Sequence, residues 1–106
     1  MIHGAFCASW AFDNYAKLFE AHGAKVYAPT LRHHNLPAGV RSPRELGTTS
    51  TLDYAADIEA LVRSLKVPPV LIGHSMGGLV AQMVAQRVNV RALALIAPSA
   101  PIPRTR

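Results

Sequence analysis

Apolar positions along this chain follow two different spacings, and the alternation between them outlines a fold. Phe12, Tyr15, Ala16 and Phe19 recur every three or four residues and predict a helix over about residues 11–22. Gly23 is a natural stop for it, and His22 before that glycine suits a helix C-terminus. Residues 25–31 (KVYAPTL) predict a short strand with a proline near its end. Residues 32–50 carry three Arg, two His, two Pro and two Gly without periodicity, and predict a long loop. Leu52, Ala55, Ile58, Leu61, Val62 and Leu65 then line one face of a helix that begins near residue 51 and ends before Pro68 and Pro69. Thr49, Ser50 and Thr51 offer its cap, with Asp53 in the first turn, where a carboxylate is favoured.

Val70 to Ile72 is an unbroken apolar run of the kind a buried parallel strand shows. Gly73 to Gly78 predicts a tight turn, Leu79 to Arg87 a helix of small residues, and Ala92 to Ala97 a further apolar strand ending at Pro98. Strands alternating with helices predict an α/β fold: a three-layer α/β/α arrangement around a parallel sheet. At 106 residues the chain makes one domain, with no internal repeat.

Composition narrows the function classes. Half the residues are hydrophobic and 16% are charged, which excludes an intrinsically disordered chain. The formal charge of +5 raises nucleic-acid binding. However, the Lys and Arg residues are scattered singly, and the cluster Arg32, Arg41 and Arg44 has no aromatic interleaving; no nucleic-acid partner is expected. Cys7 is alone, so neither an internal disulfide nor a cysteine metal cluster forms. With no apolar segment resembling a secretory signal at the start, the expected location is cytoplasmic. Residues 67–86 lack Asp, Glu, Lys and Arg, but their prolines, glycines and glutamines fit burial in a sheet better than a membrane span.

The chemistry concentrates in Gly73-His74-Ser75-Met76-Gly77, a G-x-S-x-G sequence between a predicted strand and a predicted helix. A serine on so sharp a turn takes a strained backbone conformation, and glycines two residues to either side remove side chains that would collide across it. The helix that follows points free N–H groups and its positive dipole end at the reacting centre, with the Met76 amide placed to hold an oxyanion. Gly78 adds a further close-packing position. The glycine spacing matches neither a phosphate-binding P-loop nor a dinucleotide fingerprint.

With His3-Gly4-Ala5-Phe6 and Trp10 near the start, the chain resembles an α/β-hydrolase. Residues 3–12 (HGAFCASWAF) and 26–31 (VYAPTL) are most similar to the branch of plant-type methylesterases, hydroxynitrile lyases and their bacterial relatives. The resemblance implies a serine hydrolase of carboxylic esters with no metal or organic cofactor, acting on a small-molecule ester or related acyl substrate. It implies Ser75 as nucleophile and the amides of Met76 and Ala5, or of neighbouring Phe6, as the oxyanion hole. Gly73, His74, Gly77, Gly78, His3 and Gly4 would support the two turns, His74 by packing. Phe6 and Trp10 are candidate pocket-lining residues, with core packing as the alternative.

His33 and His34 are expected in a solvated loop rather than on a metal, and Cys7 has no evident His partner. The resemblance also implies a partial domain, residues 1–106, running from the end of the family's third strand to just after its sixth. The family order is Ser, then acid, then His, yet no Asp, Glu or His follows Ser75. The catalytic acid and histidine are therefore expected beyond Arg106, and the 106 residues alone are expected to be inactive. Exposed sheet edges would favour self-association. Other readings are a lyase or cofactor-free haloperoxidase-like relative, or a non-catalytic binding protein on a truncated hydrolase scaffold.

Overall fold

The computed structural model describes residues 1–37 and 39–101. A 3-10 turn (Ser9–Phe12) leads into α1 (Asp13–Ala21), followed by α2 (Arg44–Thr48), α3 (Thr51–Ser64), β1 (Val70–His74), α4 (Met76–Ala85) and β2 (Ala92–Ile96). β1 and β2 pair in parallel from Val70 opposite Ala92 to His74 opposite Ile96. Ile2 adds a single parallel bridge at Gly73 on the other side of β1. Its N–H donates to Ile72 O at 2.7 Å and its carbonyl accepts from His74 N at 3.0 Å. The fold is α/β, with helices packing on a parallel sheet.

The helix ends follow from local chemistry. α1 closes where Gly23 takes φ +88°, a conformation that favours glycine. Gly23 N donates to Glu20 O and Ala24 N to Phe19 O, both at 3.0 Å, so two of the helix's last carbonyls are satisfied. His22 Nδ1 adds a bond of 2.8 Å to Leu18 O. At the start of α3, Ser50 takes the cap: its Oγ accepts from Asp53 N at 3.3 Å, and Asp53 Oδ2 accepts from Ser50 N at 2.9 Å. These bonds to Ser50 hold the Asp53 carboxyl below its ordinary value.

The core lies between α3, α4 and β1. Tyr54, Ala55, Ile58 and Val62 of α3 meet Val80, Ala81 and Val84 of α4, with Leu71, Ile2 and Leu31 filling in beneath. Arg32 is tied to α3 by a two-bond ion pair with Asp57, at 3.0 and 2.7 Å.

Several predicted elements shift. Residues 25–31 form no strand: their neighbours are Met1 to His3, and the links are one bond from the Met1 ammonium to Tyr27 O and one from Leu31 N to the His3 ring, too few for a ladder. Within the expected loop 32–50, Pro43 starts the short helix α2. Leu52 stands in solvent, and Tyr54 takes the buried place. α4 begins at Met76 rather than Leu79, because the helix starts directly on the turn. α1 buries none of its own side chains; Phe12, just ahead of it, is buried instead. Every residue of β2 is exposed, since it has β1 on one side and no paired strand beyond it among the described residues. No helix among those residues is long and apolar enough to cross a membrane.

Candidate active site

Ser75 stands between the last residue of β1 and the first of α4 with φ 55° and ψ −121°. A non-glycine residue rarely occupies that region, and it persists only where the surroundings over-determine it. Here they do. Ser75 N donates to Ile96 O at 3.1 Å, and Ser75 O accepts from Gly78 N and Ser99 N, both at 2.9 Å. The serine backbone is thus held by its own helix and by the chain leaving β2.

Three glycines make room for the turn. A Cβ on Gly73 would strike the Gly77 carbonyl, and one on Gly77 would strike the carbonyls of Ile2 and His3. A Cβ on Gly78 would lie 2.7 Å from Pro98 Cβ. Each is buried against backbone or a ring, which cannot move aside. Gly4 brings the second segment into place: a Cβ there would lie 3.2 Å from Ser75 Cβ and 3.4 Å from His74 Nδ1. The His74 ring therefore sits beside Gly4.

The turn after Gly4 is anchored by His3, which is fully buried. Its Nε2 lies 2.9 Å from Leu31 N and must accept; its Nδ1 lies 2.7 Å from Gly4 O and must donate. Both ring nitrogens are used in the neutral form, and burial lowers the pKa below the ordinary histidine value. His34 packs on His3 with ring centres 5.2 Å apart, and Tyr54 meets His34 edge-on at 5.6 Å. His34 Nδ1 bonds to Arg32 O at 3.0 Å. The loop expected to be solvated thus contributes a buried histidine, because His3 offers it an aromatic partner and Arg32 a carbonyl.

Of the residues singled out in the sequence, His3, Gly4, Gly73, His74, Ser75, Gly77 and Gly78 come together at one end of β1. Met76 opens α4, so its amide has no acceptor one turn back. Ala5 is exposed in the neighbouring turn, and among the described residues its amide has no hydrogen-bond acceptor. Such an arrangement can present one hydroxyl and two N–H donors to a carbonyl group. Phe6 and Trp10 stand apart from the core, 81% and 62% exposed. Among the described residues no three His, Cys, Asp or Glu side chains gather as metal ligands.

Sequence reasoning missed Pro98, Ser99 and His34. The proline was legible only as the end of an apolar run, and nothing local marked Ser99 as a donor to Ser75. The pairing of His34 with His3 spans about thirty residues and leaves no periodic trace.

Over residues 1–106 the chain matches a family model described as the alpha/beta hydrolase family. The chain belongs to the alpha/beta hydrolase family. It is 30% identical over 89 residues to a pyrethroid hydrolase of Sphingobium wenxiniae, a match covering 81% of this chain and 29% of that protein. An extracellular alpha/beta-hydrolase from a Paenibacillus species superposes with a TM-score of 0.76 at 23% identity, over 95% of this chain and 40% of its own. A pyrethroid hydrolase from Sphingobium faniae JZ-2 gives 0.74 at 27% identity, over 92% of this chain and 38% of its own. This alpha/beta hydrolase chain therefore spans well under half the length of these relatives.

Proposed function

We propose that this chain carries the nucleophile and oxyanion hole of a serine hydrolase acting on carboxylic esters. The strained conformation of Ser75, clamped by Ile96 O and Ser99 N, carries the reading. Ser75 Oγ attacks the acyl carbon and its proton passes to a base. The oxyanion accepts from the Met76 and Ala5 amides, at the positive end of α4. The intermediate collapses to an acyl-serine as the alcohol leaves with a proton. Water then releases the acid by the same route. Gly73, Gly77 and Gly78 let β1 and α4 approach closely enough for the turn. Gly4, with the His3 and His74 rings beside it, holds the second donor segment.

The reading needs a base and an acid that the residues after Ser75 do not supply. No Asp, Glu or His follows Ser75, and both nitrogens of His3 are engaged. An elbow serine without a base is a weak nucleophile. That observation also favours a second reading, a non-catalytic binding protein on a hydrolase scaffold.

Turnover of p-nitrophenyl acetate by the gene product as its own cells make it separates the two. Under the proposal Ser75→Ala lowers kcat by at least about a thousandfold. Turnover that survives Ser75→Ala, or no turnover at all, would overturn the hydrolase reading. The 106-residue chain alone is expected to show no Ser75-dependent turnover.

A further inference from the structure

We infer that Ala97 is a positioning residue for Ser75: its left-handed backbone makes a bulge opposite the serine and carries the Ser99 amide back to the Ser75 carbonyl. The inference rests on the hydrolase reading for the role of Ser75, but not for the bulge. Continuing the pairing of β1 with β2 by one residue past His74 and Ile96 sets Ser75 opposite Ala97. In a parallel ladder a residue bonds to the two residues that flank its partner. Ile2 does so across Gly73, through Ile72 O and His74 N. Ser75 begins in the same way, with its N–H on Ile96 O at 3.1 Å. Its carbonyl would next accept from residue 98, but that residue is Pro98 and has no N–H.

The chain answers by inserting one residue. Ala97 and Pro98 together stand opposite Ser75, and Ser99 N donates to Ser75 O at 2.9 Å where the proline cannot. In bulges whose first residue is left-handed, glycine usually fills that place; here Ala97 takes it with φ 41°. Ser75 faces it with φ 55°, so both members of one pair are left-handed. Pro98 is turned onto the first turn of α4, where a Cβ on Gly78 would lie 2.7 Å from Pro98 Cβ. The bulge thus meets the serine at its N–H, at its carbonyl and, through Gly78, at the helix behind it. An extended Ala97 would take Ser99 N away from Ser75 O and loosen the backbone that aims the hydroxyl.

Side chains differ in how readily they take this conformation. Asn enters the left-handed region easily, whereas Thr, of similar size but branched at Cβ, does not. With p-nitrophenyl acetate and the gene product as its own cells make it, Ala97→Thr should lower kcat at least about tenfold and change KM less than about twofold. Ala97→Asn should hold kcat within about threefold of the wild type. In the 106-residue chain, Ala97→Thr should quicken hydrogen exchange at the Ser99 amide at least about tenfold more than at Ile58 in α3, and Ala97→Asn should not.

Equal kcat in Ala97→Thr and Ala97→Asn overturns the proposal. So does a loss in Ala97→Thr that comes with equally quickened exchange at Ser99 and Ile58, which would mean general destabilisation. If the wild type shows no Ser75-dependent turnover, the hydrolase reading falls and exchange alone decides the bulge. Selective quickening at Ser99 then upholds the hold of Ala97 on Ser75, and its absence overturns it.

Discussion

The amide of Ser99 donates to the carbonyl of Ser75 at 2.9 Å, joining the exit of β2 to the serine at the end of β1. Ser75 N meets Ile96 O as well, so both backbone polar groups of the serine are held by the neighbouring strand or its exit. Strain at one residue is maintained here by hydrogen bonds from another part of the chain.

The glycines around Ser75 differ sharply from those elsewhere. Gly77→Ala would drive a methyl group into the carbonyls of Ile2 and His3, and should prevent cooperative folding or lower stability by several kcal/mol, about 3 or more. Gly47→Ala meets nothing within 4 Å inside α2 and should be neutral or add up to about 1 kcal/mol. Urea denaturation followed by circular dichroism measures both.

The α3 cap should be detectable in the same assay. Ser50→Ala removes one half of the reciprocal pair with Asp53 and should cost about 1 kcal/mol. Ile58→Ala, in the centre of the core, should cost about 2–5 kcal/mol. If the two costs came out equal, core packing between α3 and α4 would not dominate stability as described.

Stability should fall as pH drops from 8 to 5. His3 must be neutral for Nε2 to accept from Leu31 N, and its pKa lies below the ordinary 6.5 because of burial. The folded state therefore binds fewer protons than the unfolded one. Stability is full above the unfolded value and is lost as pH falls below it towards the folded value. The His34 ring, tilted against that of His3 at 5.2 Å, also lowers the His3 value. The α-amino group of Met1, lowered by burial from 8.0 to about 6, contributes the same sign between pH 8 and 6. The denaturation midpoint measured across this range should decline, and His3→Gln should flatten its lower part.

β2 presents Leu93, Leu95 and Ile96 to solvent. An exposed apolar edge strand is a template for pairing with another chain. The chain should self-associate as concentration rises in sedimentation velocity, and Leu95→Lys should shift it towards monomer. An association unaffected by Leu95→Lys would place the contact elsewhere.

Much of the fold was legible because its signals are local. The α3 cap is written in Ser50 and Asp53, the end of α1 in Gly23, and β1 in the apolar run before Gly73. The steric demand of the turn is likewise written in the spacing of Gly73, Gly77 and Gly78. What the sequence did not show is set by distant partners. Residues 25–31 have strand composition but only two links to Met1 and His3, so composition and outcome part company. β2 reads as an apolar strand, yet its residues are exposed, because burial depends on what lies beside them. His34 reads as a loop residue, and it is buried only because His3 and Tyr54 flank it.

The most direct test of the central claim is peptide mapping of the native gene product after treatment with a fluorophosphonate. Such a reagent phosphonylates a serine that is activated for attack. The account predicts a single modified serine, Ser75, and loss of labelling in Ser75→Ala. Labelling at another residue, or none in folded protein, would contradict it.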